Sequence, residues 1–135
     1  MSQKFVVRPY IASDKNFILS SWLKGLYFGN DWFSEIPANI FFKNYQKVLE
    51  TILGHPDTEL SVATLPDADD VILGYAVHSG DTLHWVFIKG AWRKLGIARA
   101  LVPKRITTVS HLTETGRSLK HKYKYIFNPF IGGQL

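Results

Sequence analysis

An apolar segment that runs directly into a glycine-containing turn is the feature that most constrains this fold. Residues 82–88 (TLHWVFI) are almost wholly apolar, which is typical of a central strand covered on both faces. The turn that follows, residues 89–96, opens into a helical pattern. A junction of this kind presents backbone N–H groups at a helix N-terminus, where the helix dipole also favours negative charge. The junction therefore predicts a layered fold with an anion-binding turn.

The pattern Arg93-x-x-Gly96-x-Ala98 in that turn is suited to a pyrophosphate. Gly96 allows the backbone to approach a phosphate closely, and Ala98 keeps that approach open. Arg93 and Lys94 add positive charge, and a guanidinium can bind a phosphate through two parallel hydrogen bonds. The alternative is an ordinary strand-to-helix turn with a glycine at the helix start, because so short a pattern is weakly specific by itself.

Periodicity and turn residues predict the element order β-α-α-β-β-β-α-β-α-β. Ser13 is the expected N-cap of the first helix, residues 27–35 are a predicted loop, and Gly80-Asp81 is a two-residue hairpin signal. This order indicates an α/β (α+β) domain with a mixed sheet, antiparallel in its N-terminal half. The predicted strands are residues 4–10, 59–65, 71–79, 82–88, 106–112 and 125–127. The predicted helices are residues 13–27, 37–54, 95–105 and 113–122.

Length and composition exclude several classes of protein. The 135 residues fit a single domain spanning 1–135, and the absence of cysteine excludes a disulfide scaffold, a thiolate nucleophile and a Cys-ligated metal. No apolar run approaches the roughly 20 residues that span a bilayer, and the N-terminus lacks the apolar region of a signal peptide. We therefore expect a cytoplasmic protein without a membrane segment or metal, as a monomer or homodimer.

The charge is distributed unevenly. Residues 1–88 carry 6 Lys/Arg against 10 Asp/Glu, a net of −4, whereas residues 89–135 carry 10 against 1, a net of +9. The formal total of +5 therefore belongs to the C-terminal third. Such a block predicts a polyanionic partner, which could be a phosphorylated cofactor or nucleic acid, unless it is simply a solvated basic face.

The glycine turn resembles the signature [RQ]-x-x-G-x-[GA] of the GCN5-related N-acetyltransferases (GNAT family). Ile88 stands at the family's usual valine, and Trp92 at a position that is commonly aromatic. Three further segments resemble family motifs in the same order along the chain: residues 7–14, residues 73–76 (LGYA) and residues 113–125. The resemblance covers nearly the whole chain, and the glycine turn is its most specific part.

This resemblance implies a GNAT-like acyl-CoA N-acyltransferase fold, splayed between its fourth and fifth strands, with acetyl-CoA in the gap. A backbone N–H from residues 86–88 would hold the thioester carbonyl. Nine net positive charges exceed what one cofactor needs, so nucleic acid bound through residues 89–124 stays open as a second partner. The cofactor-binding residues implied are Val86, Phe87, Ile88, Arg93, Lys94, Leu95, Gly96, Ile97, Ala98 and Lys120.

The proton acceptor is less constrained than the cofactor site. Counted back from the glycine turn, the glutamate that some family members use as a base falls at Thr82, which cannot serve. His84 lies two residues on, so strand alternation puts it on the same face, and imidazole titrates near neutral pH. The alternative is a half-buried histidine whose ring nitrogens are satisfied by neighbours. Asp31 and Glu35, in the predicted loop, are further candidates.

The proton donor also departs from the family pattern. Aligned without gaps, Lys120 replaces the tyrosine that the family places there. Tyr123 lies one helical turn further on and is the predicted acid, with Tyr125 as an alternative. Both tyrosines could instead simply pack. Proximity of amine and thioester would then supply much of the rate enhancement.

The acceptor site of the family is usually built by the loop between the first two helices and by the last strands. The aromatic residues there favour a substrate with an apolar or planar body, although aromatics cap cores more often. The predicted substrate-binding residues are Tyr27, Asp31, Trp32, Trp85 and Asn128.

Two functions from different classes follow. The first is an acetyl-CoA-dependent N-acetyltransferase acting on a small-molecule or protein amine. The second is a nucleic-acid-associated protein with the same fold, either a binding module or a base-modifying transferase. The intact Arg93-x-x-Gly96-x-Ala98 turn favours the enzyme, because a pure binding module does not need it.

Overall fold

A six-stranded mixed sheet forms the centre of the protein in a computed structural model that describes residues 4–111 and 125–129. The strands follow one another in spatial order from β1 to β6, and β5 and β6 run parallel to β4 while the first four strands are antiparallel. The predicted mixed α/β architecture is therefore confirmed. The strands are β1 Val6–Pro9, β2 Thr58–Leu65, β3 Ala68–Ser79, β4 Thr82–Ile88, β5 Thr108–Val109 and β6 Ile126–Phe127. The helices are α1 Lys15–Phe28, α2 Ala38–Gly54 and α3 Ile97–Leu101.

Helices cover both faces of the sheet. On one face α1 and α2 bury a core that includes Trp22, Leu49 and Tyr75, and on the other α3 packs Ile97 and Leu101 against the strands. Strand β4 contributes side chains to both cores. A strand that faces an apolar layer on either side needs a continuous apolar sequence, which explains the composition of residues 82–88.

The start of α1 differs from the prediction. Ser13 lies within a short 3-10 turn, Ala12–Asp14, and Asp14 takes the position before the helix. The Asp14 carboxylate accepts two hydrogen bonds from Arg8, both 2.8 Å, and one from the Ile11 backbone N–H at 2.9 Å. The prediction of Ser13 as N-cap is wrong because the ion pair with β1 holds Asp14 at the helix start.

Several element boundaries also differ. The predicted loop 27–35 is mostly helical, since α1 continues to Phe28 and Asp31–Glu35 forms a 3-10 turn. Strand β3 begins at Ala68, because Pro66-Asp67 alone turns the chain. The third helix ends at Leu101 rather than 105, ahead of Pro103, and β5 keeps only two residues of the predicted 106–112. The predicted helix 113–122 lies outside the described residues.

Strands β4 and β5 separate soon after they start. They pair only at Thr82↔Thr108 and Leu83↔Val109, and a last hydrogen bond runs from the Ser110 N–H to the Leu83 carbonyl at 3.1 Å. Among the described residues, none pairs on the β5 side with the part of β4 that lies beyond Leu83 and leads to the glycine turn. The sheet is therefore splayed between its fourth and fifth strands, as predicted.

A one-residue bulge lies at the vertex of this splay. Val77 pairs with Trp85 and His78 pairs with Leu83, so His84 has no cross-strand partner on β3. The bulge breaks the alternation of β4, because Leu83 belongs to the core beneath α3 whereas Trp85 packs beneath α1 and α2. Within the described ranges, no helix is both long and apolar enough to cross a membrane.

Candidate functional site: a splayed sheet and a glycine turn

The turn between β4 and α3 contains two residues with left-handed backbone. Lys94 has φ 64° and Gly96 has φ 88°, and Gly96 lies immediately before α3. Positive φ is uncommon for a residue other than glycine, and Lys94 is the single such residue in the described chain. Alternating right- and left-handed residues make neighbouring N–H groups converge into an anion-binding concavity.

The turn has the open space and the donors that a pyrophosphate requires. A methyl group placed on Gly96 would meet no atom within 4 Å, so no described side chain fills the space directly beside this glycine. The five backbone N–H groups of residues 94–98 lie ahead of the first intrahelical bond, which the Ala100 N–H makes to the Gly96 carbonyl. The side chains of Arg93 and Lys94 are exposed beside them. These residues fit a phosphorylated cofactor.

Some of the remaining predicted cofactor-binding residues are buried or half-buried, and others are exposed at the surface. Ile97 is 1% exposed and fixes the start of α3 in the core, whereas Leu95 and Ala98 are exposed. Val86, Phe87 and Ile88 are half-buried along the unpaired part of β4, and Arg93 donates from Nε to the Ile88 carbonyl at 3.4 Å. Lys120 lies outside the described residues.

His84 is enclosed at the vertex of the splay. It is 1% exposed, and both ring nitrogens contact hydroxyl groups: Nε2 lies 3.0 Å from Ser79 Oγ and Nδ1 lies 2.7 Å from Ser110 Oγ. Burial is the main cause that lowers the pKa of His84 to about 4, and charge repulsion from His78 and His55 acts in the same direction. The ring is therefore neutral near pH 7, and a substrate has no direct route to either nitrogen.

An aromatic cluster lies beside the vertex, under α1 and α2. Trp22 and Trp85 are stacked with ring centroids 6.0 Å apart, and His111, which follows β5, packs edge-on against Trp22 at 5.5 Å and Tyr45 at 5.8 Å. Trp85 was a predicted substrate-binding residue, while His111 and Ser110 were not singled out. They fell inside the predicted strand 106–112, where nothing in the sequence separates a core histidine from a site histidine.

The other predicted substrate residues are spread over the last turn of α1, the α1–α2 connection and the residue that follows β6. Tyr27 is 7% exposed, and its hydroxyl donates to the Ile36 carbonyl at 2.6 Å, so it packs within the core. Asp31 is exposed at the start of a 3-10 turn, and Trp32 lies in the same turn. Asn128 is half-buried and donates its backbone N–H to the Val109 carbonyl at 2.9 Å. Tyr123 lies outside the described residues.

Solved structures share the fold of this chain over most of its length. A predicted acetyltransferase from Clostridium acetobutylicum, solved with acetyl-CoA, superposes with a TM-score of 0.62 over 90% of this chain and 89% of its own, at 14% identity. The apo-form of YjaB from Escherichia coli gives 0.59 over 90% and 80%, at 18% identity. The aminoglycoside N-acetyltransferase AAC(6')-Iy in complex with CoA gives 0.52 over 95% and 91%, at 15% identity.

These similarities show the fold. The mixed sheet, with its antiparallel and parallel strands, matches the fold of these acetyltransferase structures, and two of the three named here were solved with CoA or acetyl-CoA. The chain therefore has the GNAT acyl-CoA N-acyltransferase fold. No protein-family model and no curated protein sequence matches it.

Proposed function

We propose that this chain is an acetyl-CoA-dependent N-acetyltransferase, a single domain over residues 1–135 that acetylates a primary amine of a small molecule or protein. Amine and cofactor would react by direct attack in a ternary complex. The observation that carries the proposal is the left-handed turn at Lys94 and Gly96, which opens α3 directly after the splayed part of β4. A sheet that binds no ligand between its strands would need neither the left-handed turn nor the splay.

Each part of the site has a separate task in this proposal. Bound acetyl-CoA supplies a thioester that an amine can attack. The N–H groups of residues 94–98 hold the pyrophosphate, and Arg93 and Lys94 add charge beside it. A backbone N–H from residues 86–88 polarises the thioester carbonyl, because those residues have no β5 partner. Holding both reactants in one gap supplies much of the rate enhancement.

The acceptor amine is placed on the α1 and α2 side of the splay. Trp85 stacks on Trp22 on that side, and Phe28, at the end of α1, is 75% exposed. An aromatic lining favours an amine with an apolar or planar body. Tyr123 as the acid and Asp31, Trp32 and Asn128 as further acceptor contacts remain predictions.

Calorimetric titration of acetyl-CoA tests the proposal, with dephospho-CoA as a comparison. We expect micromolar binding that weakens without the 3′-phosphate. In the Gly96→Glu variant we expect no binding, because a carboxylate would project into the cradle. Gly80→Glu is the matched control: Gly80 also has positive φ, 57°, and open space, but it lies in the β3–β4 turn. Binding retained by Gly96→Glu contradicts the cradle assignment.

Nucleic-acid binding is the competing function. Arg93, Lys94, Arg99, Lys104 and Arg105 are all exposed, which gives the described part of the basic third a charged surface. A polyanion binder loses affinity steeply with salt because it releases counterions. The decisive result would be no binding of acetyl-CoA at millimolar concentration together with an affinity for an oligonucleotide that falls steeply with salt. That result would favour nucleic-acid binding over acetyl transfer as the function.

A further inference from the structure

The last turn of α1 contains a glycine that the backbone conformation does not require. Gly25 lies within Lys15–Phe28, and the described glycines with positive φ are Gly80 and Gly96 alone. Glycine is less favourable in a helix than alanine, because more backbone freedom is lost when it folds. The reason for a glycine at position 25 must therefore lie in its surroundings.

The Trp85 indole occupies the space that a side chain at position 25 would need. A methyl group on Gly25 would lie 2.8 Å from Trp85 Cζ2 and 3.5 Å from Cη2, and the third nearest atom, Cε2, also belongs to this ring. Ordinary contact begins at 3.4 Å, so alanine would require the ring or the helix to move by about 0.6 Å.

The indole has little freedom to move aside. Trp85 is stacked on Trp22, with ring centroids 6.0 Å apart and planes 15° apart. Trp22 is 0% exposed, and the His111 ring packs edge-on against it with centroids 5.5 Å apart. A closely packed interior transmits such a strain to its neighbours. We call the position of the indole between Trp22 and the Gly25 backbone the indole seat.

The seated indole belongs to the half of β4 that borders the splay. Residues 85–88 pair with β3 on one side. They pack Trp85 and Phe87 toward α1 and α2, and Val86 and Ile88 toward α3. On the fourth side no described residue pairs with them. The backbone of this half is therefore held from three sides, and α1 holds it through the indole seat.

We infer that Gly25 is a positioning residue for acetyl transfer: the space it leaves in α1 seats the Trp85 indole, and the seated indole sets where the N–H groups of residues 86–88 lie at the gap. This inference rests on the proposed function, in which one of those N–H groups polarises the thioester carbonyl of acetyl-CoA. Gly25 acts through Trp85 and is not itself a catalytic residue.

The required precision explains why a small displacement would matter. N–H···O hydrogen bonds have donor–acceptor distances of about 2.7–3.2 Å, and a shift of about 0.6 Å is enough to take a donor out of that range. A donor aimed at a developing oxyanion is effective only where the site holds it in place beforehand. The indole seat supplies that rigidity on a strand that has lost one neighbour.

Circular dichroism of the free protein tests the indole seat. Two stacked indoles couple and give an exciton signal that depends on their mutual orientation, and Trp85→Phe provides the baseline without the pair. We expect Gly25→Ala to change this signal, because the added methyl group displaces the ring. Gly54→Ala is the matched control, since a methyl group at the end of α2 meets nothing within 4 Å. An unchanged signal in Gly25→Ala would overturn the inference.

The carbon-13 signal of acetyl-CoA labelled at its acetyl carbonyl tests the positioning role. A hydrogen bond that polarises the carbonyl moves this signal downfield, so we expect the bound signal of the wild type to differ from that of the free cofactor. At saturating acetyl-CoA, Gly25→Ala should move the bound signal back toward the free value. Gly54→Ala should keep the wild-type value.

Phenylalanine at position 85 separates an effect through the indole from a general loss of order. A phenyl ring lacks the outer indole atoms Cζ2 and Cη2, which a methyl group on Gly25 would meet. Trp85→Phe alone empties the seat and should also move the bound carbonyl signal. Gly25→Ala added to Trp85→Phe should move it no further. The double variant should be at least as stable as Trp85→Phe, because alanine favours the helix.

The outcomes separate this inference from the proposed function. A bound carbonyl signal that stays at the wild-type value in Gly25→Ala or in Trp85→Phe would overturn the positioning role, as would an equal effect of Gly25→Ala in both backgrounds. If Gly25→Ala does not fold, Trp85→Phe and the double variant still decide between these results. No binding of acetyl-CoA by the wild type would overturn the proposed function, and the positioning role with it, even if the dichroism shows the indole seated.

Discussion

At the scale of single residues, the pair of Arg8 and Asp14 ties β1 to the start of α1. Asp14 is 3% exposed, and its carboxylate accepts three hydrogen bonds, two from Arg8 and one from the Ile11 N–H. The hydrogen bonds from Arg8 are the main cause of a lowered pKa of Asp14, against the opposing effect of burial. The buried Asp14 carboxylate therefore has a structural role, because its hydrogen bonds hold β1 and the start of α1 together.

Asp14→Asn should destabilise the fold by about 3 kcal/mol at pH 7, because it leaves Arg8 without its partner. The Asp14 pKa is lower in the folded than in the unfolded protein, so its stabilisation is complete above the unfolded value, about 3.9. It is lost as the pH falls through the folded value. Urea unfolding at pH 7 and at pH 3 should show the gap between the two proteins narrowing in acid. A constant gap would contradict the ion-pair explanation.

His84 gives a second dependence on pH, in a different window. Its pKa is about 4 when folded and about 6.5 when unfolded, so the unfolded chain binds the proton first. Stability is therefore complete above about pH 6.5 and falls by up to about 3 kcal/mol as the pH approaches 4. His84→Gln cannot titrate but can still bond to Ser79 and Ser110. Between pH 7 and pH 4.5 this variant should lose less stability than the wild type, and an equal loss would contradict the prediction.

At the scale of elements, β3 and β4 approach each other closely at Gly74. A methyl group there would lie 2.6 Å from the Phe87 carbonyl oxygen and 2.7 Å from Ile88 Cδ1. These atoms belong to the part of β4 that has lost its β5 partner. The close approach of β3 is therefore what holds the unpaired half of β4 in position.

Gly74→Ala should destabilise the protein by about 2 kcal/mol and shift β4 away from β3, because the backbone must move to relieve the overlap. Gly54→Ala, at the end of α2, is the matched control, since a methyl group there meets nothing within 4 Å. Thermal unfolding of both variants provides the measurement. If acetyl-CoA lies along β4, the affinity for acetyl-CoA should fall in Gly74→Ala and stay unchanged in Gly54→Ala. Equal stability of the two variants would contradict the prediction, because it would show that β4 can move away from the added methyl group without cost.

The elements that the sequence predicts best are those with strong local signals. The bounds of β4 and the Gly80-Asp81 hairpin are as predicted, because a polar turn separates two apolar runs there. The start of α1 was mispredicted, since the ion pair that sets it joins Arg8 to Asp14 across a turn. Strand β5 is shorter than its apolar pattern, because β4 diverges from it after two pairs.

At the scale of the whole molecule, the cofactor side and the acceptor side differ in how far the sequence reveals them. The glycine turn is contiguous, so its residues and their chemistry can be recognised along the chain. On the other side, hydrogen bonds connect the side chains at positions 58, 79, 84, 110 and 111 in a row, and only the register of four strands and a bulge brings these positions together. No periodicity in the sequence indicates that these five positions lie close together in the fold.

Because of the splay, this sheet has an unpaired strand edge in its interior as well as at its margins. Unpaired strand edges usually lie at the margin of a sheet, where they attract strands of other chains and promote aggregation. Here the half of β4 beyond Leu83 is an edge in the middle of the strand order, with β3 on one side and the gap on the other. A narrow, extended molecule with its own amide groups can pair with such an edge and serve as the strand that the sheet omits. The bound ligand would then occupy the position of a strand next to β4, and the sheet would be complete only with the ligand in place.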